Sequence, residues 1–299
     1  MTVSKTISKI GTLYTNANVN EKYQGGIRIL KKKNFIKNLP IISIVTVTFN
    51  SARTLEETIK SVINQSYNNF EYIIIDGQSS DNTLNIINKY DKYIDYWFSE
   101  KDLGIYDAFN KGLDYFSGDF VGFVNSDDIL EKDALKILSE YIKNYPEKDF
   151  FFGSVKKHWG VLHGYKKWKV YYSWGFYSSH SCGFYIKKNA ARKNGYYNQS
   201  FRWHADYDYF YRMIIKNKLE GKGTRKNELF GHFRRGGFSS KINFNDHVYE
   251  TAQIRLNNNQ NKYFVAIITL IKIYFNYQRI NNPKKEILNI LKFILKFKN

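Results

Sequence analysis

Phe120-Val121-Gly122-Phe123-Val124-Asn125-Ser126-Asp127-Asp128 is an apolar run that stops at an acidic pair. Such a run reads as a strand buried on both faces, which puts the two carboxylates at its mouth. In a chain with a formal net charge of +19, two acids at that place call for a cation. A hard divalent ion, Mg²⁺ or Mn²⁺, takes oxygen ligands and leaves room for substrate phosphates. The plainer reading makes Asp128 the N-cap of the next helix, with Glu131 as its capping-box partner. The two are compatible.

Upstream of this stretch the pattern is regular. Residues 42–49 form a continuous β-branched run, suited to a buried parallel strand. Leu55, Ile59, Val62 and Ile63 follow at helical spacing behind Thr54 as cap. Strands are expected at 70–75 and 96–98, and helices at 81–90 and 105–116. This alternation predicts an α/β fold whose mostly parallel sheet is covered by helices on both faces. In such sheets ligands bind beyond the carboxyl ends of the strands. Those ends carry Thr48-Phe49-Asn50, Asp76-Gly77-Gln78-Ser79, Glu100-Lys101-Asp102 and Asn125-Ser126-Asp127-Asp128. Polar residues at successive strand ends form the pattern of a site.

The remaining chain divides by composition. Residues 1–40 are a polar extension ending in the basic Lys31-Lys32-Lys33-Asn34-Phe35-Ile36-Lys37. Residues 41–240 are the main domain, with halves at 41–128 and 129–240; the second half is aromatic-rich, with a strand at 181–186 and a helix at 206–216. Residues 241–299 form a basic helical tail. There Lys285, Asn289, Lys292 and Lys296 share one helical face, and Ile287, Ile290, Leu291 and Ile294 the other. A basic amphipathic helix fits an anionic lipid surface, or else docks on the core with its basic face in water. The longest apolar run, 264–275, is interrupted by Lys272 and is too short to span a bilayer. Cys182 has no partner for an internal disulfide, and 1–13 lack a signal-peptide pattern. Three prolines and nineteen glycines in 299 residues argue for an ordered globular protein. The expected setting is the cytoplasm, peripheral at the inner face of the membrane.

Taken together, Ser43-Ile44-Val45-Thr46-Val47-Thr48-Phe49-Asn50, Asp76-Gly77-Gln78-Ser79-Ser80-Asp81-Asn82-Thr83, Gly104-Ile105-Tyr106-Asp107-Ala108-Phe109-Asn110-Lys111-Gly112 and Asn125-Ser126-Asp127-Asp128 resemble the family 2 glycosyltransferases. The likeness is to the branch that builds bacterial surface polysaccharides, over about 41–240. It implies a GT-A fold and inverting transfer of a hexosyl or N-acetylhexosaminyl group. The donor is a nucleotide sugar, usually a UDP-sugar, and the acceptor a saccharide, lipid-linked or not. The product would be an O-antigen, capsule or lipooligosaccharide. The resemblance places Thr48 and Asn50 beside base and ribose, and lets Asp76 accept from the uracil N–H. Asn125 stands where the family carries an acid, so Asn125 and Ser126 serve the nucleotide, and Asp127 with Asp128 the metal. Many relatives have a base where Phe109 stands, and Lys111 is a candidate replacement near the phosphates.

Inversion needs a second, separate carboxylate to deprotonate the acceptor hydroxyl. Trp203-His204-Ala205-Asp206-Tyr207-Asp208 resembles the family's acidic pair with its first acid replaced by Ala205, which aligns Asp206 with the catalytic base. Asp208 and Arg212, four apart, can pair with each other instead. His180 matches a position near the acceptor in similar proteins. Arg234 and Arg235, in Phe233-Arg234-Arg235-Gly236-Gly237-Phe238-Ser239, could close over the diphosphate on a glycine-hinged lid. Two other classes stay open. A basic nucleic-acid-binding protein would explain the charge but not the acids at the strand ends, which repel phosphates, so nucleic acid is not the expected partner. An inactive, glycan-binding descendant of the fold is the other.

Overall fold

A computed structural model of the chain describes residues 9–16, 18–30, 33–172, 181–234, 236, 242–279 and 282–297. Its strands are β1 (Gln24–Gly25), β2 (Ile42–Thr48), β3 (Phe70–Asp76), β4 (Tyr96–Ser99), β5 (Phe120–Phe123) and β6 (Ile129–Leu130). They continue with β7 (Phe150–Phe152), β8 (Ser154–Lys157), β9 (Gly160–Leu162), β10 (Phe184–Lys187), β11 (Gly221–Gly223) and β12 (Leu229–His232). The first helices are α1 (Ile27–Leu30), α2 (Leu55–Ile63), α3 (Thr83–Lys89), α4 (Ile105–Tyr115) and α5 (Ala134–Asn144). Then come α6 (Lys167–Tyr172), α7 (Lys188–Asn194), α8 (Ala205–Tyr211), α9 (Phe244–Asn257), α10 (Lys262–Phe275) and α11 (Pro283–Lys296).

By its contacts the chain forms two compact units. One carries both sheets and the helices α1–α5 and α7; the other carries α6 and α8–α11. In the first, an eight-stranded sheet has the order β1-β4-β3-β2-β5-β10-β7-β11. The four strands β4, β3, β2 and β5 are mutually parallel, as the alternation predicts. Every residue of β2 is buried, because helices cover both faces. Ile42, Ile44, Tyr72 and Ile74 join one core with Leu55 and Ile59 of α2, Ile86 and Ile87 of α3, and Leu135 and Leu138 of α5. On the opposite face α4 sits so close that a Cβ on Gly112 would lie 2.6 Å from Val45 Cγ1.

The order of these strands fixes where a ligand can enter. The chain steps outward from β2 to β3 to β4, and α4 then returns it to β5 on the other side of β2. The order therefore reverses at β2, and the carboxyl ends of β2 and its neighbours open a crevice there. The extension lies along this sheet. β1 pairs antiparallel with β4, and buried Arg28 is ion-paired with buried Glu71.

Three features depart from the sequence reading. The strand expected at 181–186 begins later, as β10, and runs antiparallel to β5 and β7 after a 3₁₀ turn at Ser181–Gly183. The helix expected at 206–216 is α8 followed by a π-helical turn at Arg212–Lys216. A second sheet of order β6-β12-β8-β9 has no counterpart in the expected elements. In the helical unit, α9, α10 and α11 share one core through Val248, Ala252, Val265, Ile273, Ile290 and Ile294. The apolar face of α11 is thus used internally, not turned to lipid. No helix among the described residues is long and apolar enough to cross a membrane.

Candidate active site

The carboxyl ends of β2, β3 and β4 meet in register, with Thr48 beside Asp76 and Asp76 beside Ser99. Asp76 is fully buried, and its two oxygens accept from Ser79 N–H at 2.9 Å, Ser99 Oγ at 2.6 Å and Ser79 Oγ at 2.5 Å. A carboxylate offers about four acceptor positions, so one direction remains for a ligand donor. The Gly77 N–H donates to the Thr48 carbonyl at 2.9 Å, which ties the two strand ends together. Asn50 (φ 48°) and Gln78 (φ 63°) both hold the left-handed backbone region that non-glycine residues rarely occupy. Asn50 Oδ1 accepts the Ser80 N–H at 2.9 Å, and Asn50 N–H donates to Ser79 Oγ at 2.8 Å. These bonds fix the strained turns across the crevice. Thr48 Oγ1, on a residue only 4 % exposed, has no hydrogen-bond partner among the described residues. A buried hydroxyl without a partner costs about 1–3 kcal/mol, and a ligand group at the crevice would recover it.

Asp102 is a site residue that motif reading did not single out. Its Oδ1 accepts the Gly104 N–H at 2.9 Å, and a Cβ on Gly77 would stand 2.4 Å from its Oδ2. Burial raises its carboxyl above the usual range, and the nearby Asp107 and Asp76 charges push the same way. In the sequence it is marked only by its place in the polar strand end Glu100-Lys101-Asp102. Lys111 pairs with Glu100 at 2.9 Å and Asp107 at 3.4 Å, and donates to the Lys101 carbonyl at 3.0 Å. These bonds make it a clasp on the loop after β4, and its ammonium is already matched there rather than open to phosphates.

At the end of β5, Ser126 Oγ lies 2.8 Å from Ser51 Oγ and so bridges the point where the strand order reverses. Asp127 is partly exposed beside it. Burial raises its carboxyl, opposed by its own backbone N–H and by the Arg234 guanidinium. Arg234 is also ion-paired with Glu57 of α2. Asp128 is fully buried; its carbonyl accepts from Thr58 Oγ1 at 2.7 Å and its N–H donates to the Asn125 carbonyl at 2.9 Å. The capping-box reading is overturned. Residues Ile129–Leu130 pair as β6 with β12, Glu131 is paired with His232, and α5 begins only after Asp133.

Among the described residues no group of three or more His, Cys, Asp or Glu side chains could enclose a metal. What the strand end offers is the Asp127 carboxylate beside the oxygens of Ser126 and Asn125. That donor set is hard and sparse, and it fits a Mg²⁺ or Mn²⁺ ion that brings most of its ligands from a diphosphate and water.

The helical unit holds the second expected acid. Asp206 lies in the first turn of α8, partly exposed, and its Oδ1 accepts the Tyr207 N–H at 2.8 Å. Asp208 is buried and engaged on both oxygens, by Arg212 Nε at 2.8 Å and Asn258 Nδ2 at 3.0 Å. The i,i+4 pairing expected of Asp208 is present, and it separates a structural acid from Asp206. The segment leading into α8 is held by Glu250 of α9, which accepts the Arg202 N–H at 2.6 Å and the Trp203 N–H at 2.9 Å. The same carboxylate meets His204 Nδ1 at 2.7 Å, and His204 Nε2 meets His247 Nδ1 at 2.5 Å. Glu250 was not legible beforehand, since it lies more than forty residues from the turn it anchors. His180 and Arg235 lie outside the described residues.

Comparison with known proteins gives one coherent picture. The family model described as Glycosyl transferase family 2 matches residues 43–228. An uncharacterized glycosyltransferase of Haemophilus influenzae is 38 % identical over 112 residues, 36 % of this chain and 45 % of that protein. The putative teichuronic acid biosynthesis glycosyltransferase TuaG of Bacillus subtilis is 35 % identical over 34 % of this chain and 42 % of its own length. The matched stretch thus spans less than half of these curated relatives. Among solved structures, S. aureus TarS 1-349 in complex with UDP-GlcNAc superposes with a TM-score of 0.66 at 18 % identity, covering 85 % of this chain and 80 % of that one. The mannosyltransferase PcManGT from Pyrobaculum calidifontis, in complex with GDP-Man and Mn²⁺, gives 0.52 at 16 % identity, over 89 % and 74 %. At such identities the likeness is one of fold.

Proposed function

The chain belongs to glycosyl transferase family 2 and has its GT-A fold, and on that premise we propose that it moves a sugar from a UDP-sugar to a saccharide acceptor with inversion. The observation that carries this reading is the buried Asp76 with the Thr48 hydroxyl, which lacks a partner among the described residues, at the reversal of strand order. Asp76 accepts from the uracil N–H, while Thr48 and Asn50 line base and ribose. Asp102, held against Gly77, takes a ribose hydroxyl. Asn125 and Ser126 flank the sugar side, and Arg234 faces the diphosphate. A Mg²⁺ or Mn²⁺ ion held at Asp127 would neutralise charge on the leaving diphosphate. PcManGT with its Mn²⁺ supports that ion; TarS with UDP-GlcNAc supports a UDP-sugar, a hexosyl or N-acetylhexosaminyl donor.

Asp206 acts as base. It takes the proton of the acceptor hydroxyl as that oxygen bonds to the anomeric carbon from the face opposite the nucleotide. The bond from that carbon to the phosphate oxygen breaks, and the diphosphate leaves with its electron pair. The likeness to the putative teichuronic acid biosynthesis glycosyltransferase supports a role in building a bacterial glycan; a lipid-linked acceptor at the inner membrane face is part of the proposal.

The test is to incubate the purified chain with a panel of nucleotide sugars and Mn²⁺ and to follow diphosphate release. Release from a UDP-sugar, lost in Asp76→Ala together with UDP binding, is the expected result. UDP binding that is unaffected in Asp76→Ala would overturn the nucleotide assignment.

A further inference from the structure

Helix α10 turns an apolar stripe to solvent. Tyr263, Ile267, Leu270, Ile271 and Tyr274 recur at helical spacing and are all exposed, Ile267 by 55 % and Tyr274 by 78 %. The opposite side of the same helix is the one used for packing, through Val265, Ala266 and Ile273. A 14-residue helix with both sides apolar leaves the outer one open to a further contact.

The neighbouring helix says what that partner is. On the solvent side of α11, Leu288, Lys292 and Leu295 share one face, and Lys284, Lys285 and Lys296 are exposed around them. Apolar and cationic side chains therefore interleave on one surface. Lys262 donates to the Leu295 carbonyl at 3.3 Å, which joins the start of α10 to the end of α11. Between 262 and 297 Glu286 is the only acid in the sequence. A second copy of the chain would set these lysines against their own kind, at a cost in repulsion. An anionic lipid surface matches both the charge and the apolar stripe. At 1.5 Å per residue α10 spans about 21 Å, short of a hydrocarbon core of about 30 Å, so it would lie in the interface rather than cross it. Tyrosines at both ends of the stripe suit that depth.

We propose that the outer faces of α10 and α11 form the surface by which this protein docks on an anionic membrane, with α10 seated among the headgroups. The inference deepens, and rests on, the reading of the chain as a transferase for lipid-linked glycan, since it names the surface that would keep the enzyme beside such an acceptor.

Sedimentation of the full chain with vesicles tests it, using phosphatidylcholine alone and phosphatidylcholine mixed with phosphatidylglycerol. The chain is expected to bind the anionic vesicles, with the part of the binding owed to the lysines released by salt. Lys285→Gln/Lys292→Gln should weaken partitioning by about tenfold or more, at roughly one surface charge's attraction per lysine. Ile267→Ser/Tyr274→Ser should abolish the binding that persists in high salt. Both pairs are exposed and lie outside the nucleotide and base machinery, so UDP binding by calorimetry should be unchanged. Wild-type chain that ignores anionic vesicles, or variants that bind them equally well, would overturn the proposal. So would a dimer by light scattering that Ile267→Ser/Tyr274→Ser dissociates. Vesicle binding without UDP binding would instead overturn the transferase reading and leave the docking surface standing.

Discussion

Gly77 shows how much of the crevice depends on single atoms. Its missing side chain is what lets the Asp102 carboxylate lie against the end of β3, where an added Cβ would be 2.4 Å away. Gly77→Ala should therefore swing Asp102 outward and weaken UDP binding, which calorimetry would show, while the fold survives because only a side-chain end must move. Asp127 carries a second, opposite consequence. Burial raises its carboxyl, so the folded chain holds the charged form less comfortably than the unfolded chain does. That penalty exists above the folded-state pKa and vanishes as pH falls below the unfolded value of about 3.9. Asp127→Asn should thus raise the melting temperature at neutral pH, with no gain in strong acid, and at the same time impair transfer. A lower melting temperature at neutral pH would contradict this account of the charge.

At the scale of elements, the turn into α8 is the telling case. Glu250 satisfies two backbone N–H groups and the His204 ring, so Glu250→Ala removes the acceptor of one exposed and two part-buried donors. A loss of about 0.5–1.5 kcal/mol in urea unfolding is expected, with slower turnover as Asp206 loses its support. His247 adds a pH dependence. Burial first, then Lys272, His204 and Arg279, hold its pKa down at about 2, against about 6.5 when unfolded. The unfolded chain therefore binds a proton that the folded one refuses, and stability falls as pH drops from about 6.5. His247→Gln should flatten that acid limb. The parallel core was legible because 42–124 repeats one rule, an apolar strand run and then a helical stripe, and β2, β3 and β4 lie side by side in chain order. The small sheet was not, because Ile129–Leu130 is two residues long and its partner Leu229–His232 lies a hundred residues on. That pairing is also what removed Asp128 from its expected cap. Asp76, Thr48, Asn50 and Asp102 were readable as strand ends; the contact of Asp102 with Gly77 and the role of Glu250 were not, since they exist only once distant turns are brought together.

For the whole molecule, the net charge of +19 is unevenly placed. Acids gather at the strand ends, and cations at the exposed side of the last helices. The periodicity of α11 correctly marked an amphipathic helix, but its apolar face meets α9 and α10, and the stripe open to solvent belongs to α10. The account as a whole rests on acids with divided labour, Asp76, Asp102 and Asp127 holding the nucleotide and its metal and Asp206 serving the acceptor. The most direct test is to compare wild type and Asp206→Asn for UDP binding by calorimetry and for UDP release from UDP-sugars with Mn²⁺ and lipid-linked glycan extracted from membranes. The account predicts undiminished UDP binding with release abolished in the variant. Release at the wild-type rate from Asp206→Asn would contradict it.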